Sequence, residues 1–287
     1  MTIINTEYKD RLFSFIFGSP ENRNWTLSLY NAVNGSAYTD PYLIEYTTIR
    51  QVLYLGMHND VSFLISDDMP LYEEQSTYNP NMPLRMMQYT GNLYEKHIRQ
   101  NKLNKYGTLL LKLPVPKFVV FYIGKAEIPD EVILRLSDSF PEGADADIEV
   151  KVKVLNINPG RNAGLMEACQ SLREYSWLMA QIRQNRETME LEDAVDKAIR
   201  EIPQDYVLRT FLTAHQGEVK GMLLTEYDEA EQMELFREEG REEGREEGRE
   251  EGVLNTLVSL VKDNLLPLQI AAQRAGMTEQ EFRAACK

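Results

Sequence analysis

Apolar residues near the start of the chain recur at the spacing of a helix. Four of them would share one helical face: Leu12, Phe13, Ile16 and Phe17. Gly18 follows directly and is typical of a helix end. A second helix is predicted over residues 25–34, where apolar side chains again recur every three or four positions before Gly35. The chain is therefore expected to open with two helices.

The pattern that follows is typical of β-strands. Residues 47–55 and 61–65 are rich in β-branched and large apolar side chains, and residues 71–77 alternate in polarity. Residues 66–70, between the last two segments, have the composition of a turn. We expect these segments to form a hairpin or a meander.

A helix is predicted next over residues 83–100, because a proline suits its first turn and apolar residues then form a rough inner stripe. Residues 117–124 form an almost continuous apolar run, which favours a strand buried on both faces. A further strand is expected over residues 148–157. Since a helix separates strands, a parallel crossover is allowed, and the order predicts an α/β fold with a sheet flanked by helices.

Beyond residue 160 the apolar spacing is mostly helical. Helices are expected over four ranges: residues 165–186, 191–202, 206–213 and 218–230. A small helical pair, split at Pro267, is expected at the end of the chain. The predicted regions are a sheet-containing core over residues 1–160, a helical extension packed on that core over 161–232, a linker helix over 233–252 and the helical pair over 253–287.

The predicted linker contains four copies of Arg-Glu-Glu-Gly over residues 237–252. Arg and Glu favour a helix, and Glu–Arg pairs three residues apart add a few tenths of a kcal/mol each, but every Gly costs about 1 kcal/mol relative to Ala. A repeat of four residues also lacks the apolar seam of a coiled coil. We interpret the tract as a solvated or frayed helical spacer, with a coiled coil as the alternative.

The distribution of charge along the chain indicates where a nucleic acid could bind. The chain has 45 acidic and 31 basic side chains and a net charge of −14, which argues against a protein that coats nucleic acid through overall attraction. Residues 85–117 nevertheless carry seven basic side chains and only one acidic one. We call these seven the basic belt: Arg85, Lys96, Arg99, Lys102, Lys105, Lys112 and Lys117. Any nucleic-acid site is expected on this local basic surface.

The two cysteines, Cys169 and Cys286, lie far apart in the sequence and offer neither a disulfide framework nor a zinc ribbon. A reducing, cytoplasmic compartment therefore fits best. The sequence also has no apolar run long enough to span a membrane and no signal-peptide pattern at its start, so no membrane segment is expected.

The residues with the clearest chemical potential lie on the predicted hairpin. Asp60 heads one strand, and Glu73 lies on the next with Gln75 two positions on, so that Glu73 and Gln75 share a face. Glu74 would point to the opposite face and is expected to be exposed. If the turn pairs the strands, Asp60 and Glu73 approach each other, and two carboxylates form a site suited to Mg²⁺ or Mn²⁺. From the spacing alone, two solvated acids at strand ends remain the alternative.

In these residues the chain resembles the PD-(D/E)XK nuclease superfamily, and within it the bacterial family of recombination-promoting nucleases and transposases. The resemblance rests on Asp10-x-x-Phe13-x-x-x-Phe17-Gly18, on Asp60 ahead of Glu73-x-Gln75, on Arg85-x-x-x-Tyr89, on the strand from Lys112 to Tyr122, and on the tail rich in Glu, Gly and Arg. It implies a sheet core of αβββαβ type, metal-dependent DNA cleavage, and a link to recombination or mobile elements.

The resemblance also assigns roles. Asp60 and Glu73 would be ligands of Mg²⁺ or Mn²⁺, and Gln75 would be a catalytic residue at the position of the superfamily's lysine. Asp10 would be an auxiliary residue on the first helix, where capping of the helix is the alternative. Two departures stand out: Asn59 replaces the proline of the motif, and Gln75 lacks the charge that a lysine would place beside an attacking water.

Arg85 and Tyr89 would lie one turn apart on the helix after the catalytic strand. They are expected either to contact phosphate or to support Glu73 and Gln75, with a surface Arg packed over a Tyr ring as the alternative. The residues assigned to DNA binding are Arg85, Lys96, Arg99, Lys102 and Lys105. For the belt as a whole, a solvated helix face is the other interpretation.

The leading hypothesis is therefore a magnesium-dependent DNA endonuclease that hydrolyses phosphodiester bonds. DNA is its expected partner, the helical C-terminal region is a candidate for self-association, and no membrane partner is expected. The alternative is a DNA-binding or assembly protein that keeps the nuclease fold but cleaves weakly, because Gln75 leaves the metal site weak.

Overall fold

The computed structural model of the protein describes residues 12–47, 60–263 and 265–286. The chain divides into two compact units, Met1–Thr225 and Glu226–Lys287. Asp10 and most of the strand predicted over residues 47–55 lie outside the described residues.

In the described part of the first unit, six strands form one mixed sheet. They are β1 (Glu45–Tyr46), β2 (Val61–Leu64), β3 (Asp68–Gln75), β4 (Val115–Tyr122), β5 (Glu131–Arg135) and β6 (Lys151–Asn156). Their order across the sheet is β1-β2-β3-β4-β6-β5. β3, β4 and β6 are parallel, whereas β1, β2 and β5 each pair with a neighbour in antiparallel orientation. The α/β class and the mixed sheet predicted from the sequence are confirmed.

Ten α-helices are described. They are α1 (Leu12–Phe17), α2 (Arg23–Asn34), α3 (Met82–Gln100), α4 (Ala163–Ala168), α5 (Gln170–Asn185), α6 (Leu191–Arg200), α7 (Arg209–Ala214), α8 (Gln216–Lys262), α9 (Leu268–Arg274) and α10 (Glu279–Ala285). α3 connects the parallel strands β3 and β4, as the predicted crossover requires. None of the described helices is both long enough and apolar enough to cross a membrane.

One face of β3 is covered by α3. Met69 and Leu71 of the strand lie in a buried cluster with Met86 and Leu93 of the helix. Because side chains of a strand alternate, Glu73 and Gln75 continue the same face toward the end of β3. The apolar contacts of α3 thus fix the helix over the strand that carries the predicted catalytic residues.

The other face of β3 is covered by α1 and α5. Tyr72 contacts the ring of Phe121 on β4, with ring centroids 5.4 Å apart. Phe13 of α1 lies 5.3 Å from Phe121 and 5.6 Å from Tyr175 of α5. β3 is therefore buried on both sides, between two layers of helices.

The turn between β2 and β3 is shorter than the predicted segment 66–70. Ile65 and Asp68 already pair across it, so only Ser66 and Asp67 turn the chain. Ser66 takes a positive φ of 54°, a conformation that matches the tight turns of β-hairpins. β3 therefore begins at Asp68 and not at residue 71 as predicted.

Three other predictions are corrected. The helix over residues 165–186 is broken at Cys169, which is buried with an extended backbone, so that α4 and α5 can both pack against α2. Strand β5 was not predicted, because it lies at the sheet edge and its polar ends are exposed. The helix predicted to end at residue 230 continues as α8 through the Arg-Glu-Glu-Gly repeat.

The second unit has a small core of its own. Leu257, Ala271, Ala272 and Phe282 are buried together. α10 begins with a capping box, in which the Thr278 hydroxyl accepts from the Glu281 N–H and the Glu281 carboxylate accepts from the Thr278 N–H. These two reciprocal hydrogen bonds stabilise the first turn of α10.

Candidate active site

The register of the hairpin places Asp60 against Glu73. Val61 pairs with Tyr72. Asp60, just before β2, therefore lies opposite Glu73, the residue after Tyr72 on β3. The backbone N–H of Asp60 donates to Glu73 Oε1 over 3.2 Å, and Asp60 Oδ2 accepts from the backbone N–H of Glu74 over 2.7 Å. The two acids, which we call the acidic pair, therefore lie side by side, as the sequence predicted for paired strands.

Arg85 binds the second oxygen of Glu73. Its Nη2 lies 3.3 Å from Glu73 Oε2, and the same guanidinium donates to the hydroxyl of Tyr89 over 2.8 Å. Glu73 is only 1% exposed, whereas the Arg85 side chain is 34% exposed. Arg85 and Tyr89 are thus brought to the acidic pair, because they lie one turn apart on the face of α3 that covers the end of β3.

The charges around this ion pair stabilise each other. Burial disfavours the charged form of Arg85, but Glu73, Tyr89 and Asp60 outweigh that effect and raise the pKa of the guanidinium above its usual value. Burial, together with the negative charge of Glu73, raises the pKa of the Tyr89 phenol. At neutral pH, Arg85 is therefore a cation and Tyr89 a neutral hydroxyl that can accept from it.

Gln75 lies on the same face as Glu73 at the end of β3. It is 8% exposed, and its amide Nε2 lies 2.9 Å from the sulfur of Met82 at the start of α3. A thioether is a weak acceptor, so this contact holds the amide only loosely. The side chain can exchange the sulfur for a water or a substrate oxygen at little cost.

Glu74 is buried, and the prediction that it is exposed is wrong. Its exposed fraction is 5%, because α1 and α5 cover the face of β3 to which it points. Its backbone N–H holds the Asp60 carboxylate, so it positions that carboxylate through the main chain. The strand sequence already contained a signal: Tyr72, on the same face, is a large ring that needs a cover.

Ser14 also contributes to the site, and sequence reasoning did not single it out. Its hydroxyl donates to the backbone carbonyl of Asp60 over 2.7 Å. α1 is thereby tied to the first residue of the hairpin. A polar residue within the otherwise apolar stretch 12–17 is the signal that could have indicated a specific contact.

The donor chemistry of the acidic pair fits a hard divalent cation. Among the described residues there is no cluster of three or more His, Cys, Asp or Glu side chains that could hold a metal. Mg²⁺ is commonly bound by one or two carboxylates, with water and substrate phosphate completing its coordination. Asp60 and Glu73 are the two carboxylates that would supply these ligands. Arg85 already binds one oxygen of Glu73, so a cation held by Glu73 would compete with this contact.

Several side chains of the basic belt already have a partner in the protein. Arg85 is paired with Glu73, Lys105 with Glu95 at 2.6 Å, and Lys117 with Asp68 at 4.0 Å. Lys96 donates to the backbone carbonyl of Thr47. Within the ranges that the structure describes, the remaining three members have no ion-pair partner: Arg99, Lys102 and Lys112.

The free part of the belt lies away from the acidic pair. Arg85 is in the first turn of α3, and Arg99 is in its last turn. At 1.5 Å per residue the two are roughly 20 Å apart along the helix. DNA would have to extend over about six base pairs to contact both ends of α3.

Comparisons of the chain with protein-family models, with curated proteins and with solved structures found no match. A function for this site is therefore inferred from its own residues and from the motif that they form.

Proposed function

We propose that the protein is a divalent-metal-dependent DNA endonuclease in which Asp60 and Glu73 bind Mg²⁺ or Mn²⁺. The observation that supports this most strongly is the cross-strand placement of Asp60 against Glu73 at the end of a buried strand. Two carboxylates held together inside a protein repel each other unless cations compensate them, so such an arrangement favours a metal site. The motif resemblance extends the proposal to recombination or mobile elements and to a cytoplasmic, bacterial setting.

The order of elements around the site supports the same proposal. From α2 to β4, a helix, three antiparallel strands, a crossover helix and a parallel strand follow one another. This is the αβββαβ order that the resemblance implies. Asp60 directly precedes the second strand of that order, and Glu73 and Gln75 lie on the third.

Each residue of the site then has a distinct task. A bound Mg²⁺ would supply an activated water and charge stabilisation at the phosphate. Arg85, itself steadied by Tyr89, holds the carboxylate of Glu73 in place. The main chain at Glu74 does the same for Asp60. Gln75 can orient a water through its amide, but it adds no positive charge.

Binding of DNA is assigned to the basic belt. Arg99, Lys102 and Lys112 are exposed cations without a partner in the described ranges, on a chain that is strongly acidic elsewhere. Lys96 and Lys105 become available if phosphate replaces Thr47 and Glu95. The acidic excess of the rest of the chain repels DNA and thereby favours binding at the belt. Because each phosphate contact releases counterions, affinity should fall steeply with salt.

A second candidate function is a DNA-binding or assembly protein that cleaves weakly. It is favoured by the state of Glu73, whose two oxygens both accept hydrogen bonds and whose side chain is almost fully buried. A metal ion would have to weaken the contact with Arg85. Gln75, in place of a lysine, offers no charge to offset that cost.

Plasmid cleavage with Mg²⁺, Mn²⁺, Ca²⁺ or EDTA tests the two candidates. The variants Asp60→Asn and Glu73→Gln keep the size of each side chain but remove its charge, and Glu201→Gln is the matched control at an exposed helix end. A metal-dependent nuclease loses cleavage in the first two variants and keeps it in the third. Cleavage that survives both substitutions contradicts the proposal. Absence of cleavage by the folded wild-type protein, with salt-sensitive DNA binding, supports the second candidate.

A further inference from the structure

A pocket lies at the end of β6, apart from the acidic pair. Its volume is about 400 Å³, and it is lined by the loop from β6 to α4, by one face of α5 and by Tyr206. A cavity of this size suits a small molecule or one unit of a polymer. Neither the sequence motif nor the proposed chemistry uses any of its residues.

The pocket opens at the same edge of the sheet as the acidic pair. β3, β4 and β6 are parallel, and Gln75, Tyr122 and Asn156 are register partners at their ends. Neighbouring strands are about 4.8 Å apart, so Asn156 is roughly 10 Å from Gln75 across the sheet. Ligands of parallel sheets commonly bind outside these carboxyl ends.

Aromatic rings form one wall of the pocket. Trp177 of α5 and Tyr206 meet edge to face, with ring centroids 5.3 Å apart and an angle of 79° between the planes. Met166 of α4 adds a nearly buried, polarisable side chain. The contact with Tyr206 restricts the orientation of the Trp177 ring, and the indole lines the cavity. Nucleobases commonly stack on such rings in proteins that bind single-stranded DNA or RNA.

The charges of the pocket leave one cation free. Arg161 is paired with Asp130 at 3.5 Å, and Glu167 is the acid that lines the cavity. Arg173 lies on the same helix as Trp177, one turn before it, and makes no ion pair with the residues that the structure describes. A guanidinium beside an aromatic wall is suited to one phosphate group. Three or four phosphate charges would exceed what Arg173 alone can balance.

We propose that this pocket binds one nucleotide unit, with its base stacked on Trp177 and its phosphate on Arg173. That the unit belongs to a DNA strand rests on the proposed function. The ends of β3 and β6, roughly 10 Å apart, are separated by about the length of three nucleotides along one strand of a duplex. The pocket would therefore hold a nucleotide that flanks the bond cleaved at the acidic pair. To enter the pocket, the base of this nucleotide would leave the base stack.

Tryptophan fluorescence provides a direct test, because the chain has only two tryptophans and Trp25 lies against Phe211 instead of the pocket. In the Trp25→Phe protein, the remaining signal is that of Trp177. The protein is titrated in EDTA with dAMP, with inorganic phosphate and with a six-residue deoxyadenosine oligonucleotide. Comparison of the three titrations distinguishes the contributions of the base, the phosphate and the strand to binding. We expect both nucleotide ligands to quench the fluorescence, the oligonucleotide at a lower concentration.

Arg173→Gln should weaken the binding of dAMP by about tenfold or more, since it removes the charge-assisted contact to phosphate. Arg200→Gln, at the exposed end of α6, is the matched control and should change nothing. Deoxyadenosine, which has no phosphate, should bind the wild-type and the Arg173→Gln protein equally. The affinity for dATP should exceed the affinity for dAMP by no more than a few-fold.

Two results would overturn the proposal. Absence of quenching by either nucleotide ligand removes the pocket as a nucleotide site, and tight binding of dAMP without competition by the oligonucleotide removes the DNA strand as its source. Because the titration is done in EDTA and can be repeated with Asp60→Asn, it does not depend on cleavage. A nuclease that fails this test and a nucleotide-binding protein that does not cleave DNA are thereby distinguished.

Discussion

The two ends of α3 carry basic residues in opposite environments. At its start, Arg85 contacts Glu73 and Tyr89 over the end of a buried strand. At its end, Arg99 and the following Lys102 face solvent without an acidic partner among the described residues. At the first end, charge, folding and the proposed chemistry are coupled, because loss of Arg85 leaves a buried carboxylate behind. At the second end a charge can be removed without disturbing the fold.

The largest effect is expected for Arg85→Met. This substitution leaves the carboxylate of Glu73 without its cation at a position that is 1% exposed. Removal of one partner of a buried ion pair typically costs about 3–5 kcal/mol, and we expect the lower end here because Arg85 itself is partly exposed. The free energy of unfolding, measured by urea denaturation, should fall by about 3 kcal/mol.

Substitution of the other partner of the ion pair provides a comparison. Glu73→Gln leaves Arg85 unpaired, but that side chain is 34% exposed and can be hydrated. The loss of stability should therefore be smaller, about 1 kcal/mol, although cleavage should be lost. Arg99→Met is the control for loss of an arginine from α3 and should change stability by less than about 0.5 kcal/mol. Equal losses for Arg85→Met and Arg99→Met would contradict the coupling at the first end.

The next effect concerns DNA binding at the second end. Replacement of Arg99, Lys102 and Lys112 by glutamine removes three cations that have no partner in the described part of the chain. The slope of log affinity against log salt should become shallower by up to about 3, since each phosphate contact contributes about 0.9. Fluorescence anisotropy with a labelled duplex at several salt concentrations in EDTA measures this slope.

The matched control for the triple variant is the pair Lys197→Gln and Arg200→Gln on α6. These residues lie outside the belt, so their loss should leave the slope unchanged. The urea midpoint of the triple variant should equal that of the wild type, because no ion pair of the described residues is broken. An unchanged slope in the triple variant would remove the free part of the belt from the DNA-binding surface.

The contacts at the first end of α3 are only partly predictable from the sequence. The approach of Asp60 to Glu73 follows from local rules, because a short turn and strict alternation fix which residues of a hairpin meet. The spacing of Arg85 and Tyr89 likewise predicts that they are neighbours. Their contact with Glu73 depends on how α3 packs on β3, which the spacing alone does not determine.

Glu74 and the nucleotide pocket show what the sequence leaves undetermined. The cover over Glu74 includes Tyr175, about a hundred residues away in the sequence, so its burial depends on a long-range contact. The pocket combines the loop after β6 with Trp177 and Tyr206, three segments whose meeting no local pattern encodes. β5 was missed for another reason: its apolar run, Val132 to Leu134, is only three residues long and has polar residues at both ends.

A smaller effect is expected from the ionisation of Tyr89. Burial and Glu73 raise the pKa of its phenol in the folded protein. The unfolded chain has a pKa of about 10, so the stabilising contribution of the neutral phenol is complete below that pH and is lost as the pH rises through the folded-state value. Urea unfolding of the wild type should show decreasing stability as the pH rises above about 10. Tyr89→Phe should flatten this decrease, and an identical pH dependence in the two proteins would contradict the assignment.

The smallest effect is expected for the exposed pair of Glu95 and Lys105, and it should be visible only with DNA. Their contact lowers the pKa of Glu95 and raises that of Lys105, but both side chains are solvated, so Glu95→Gln should leave the urea midpoint unchanged. In the complex, Lys105 would exchange Glu95 for a phosphate. Loss of this competing acid should then tighten DNA binding by about two- to threefold at low salt and by less at high salt. Weaker binding of Glu95→Gln would instead show that Glu95 holds Lys105 in the orientation in which it binds DNA.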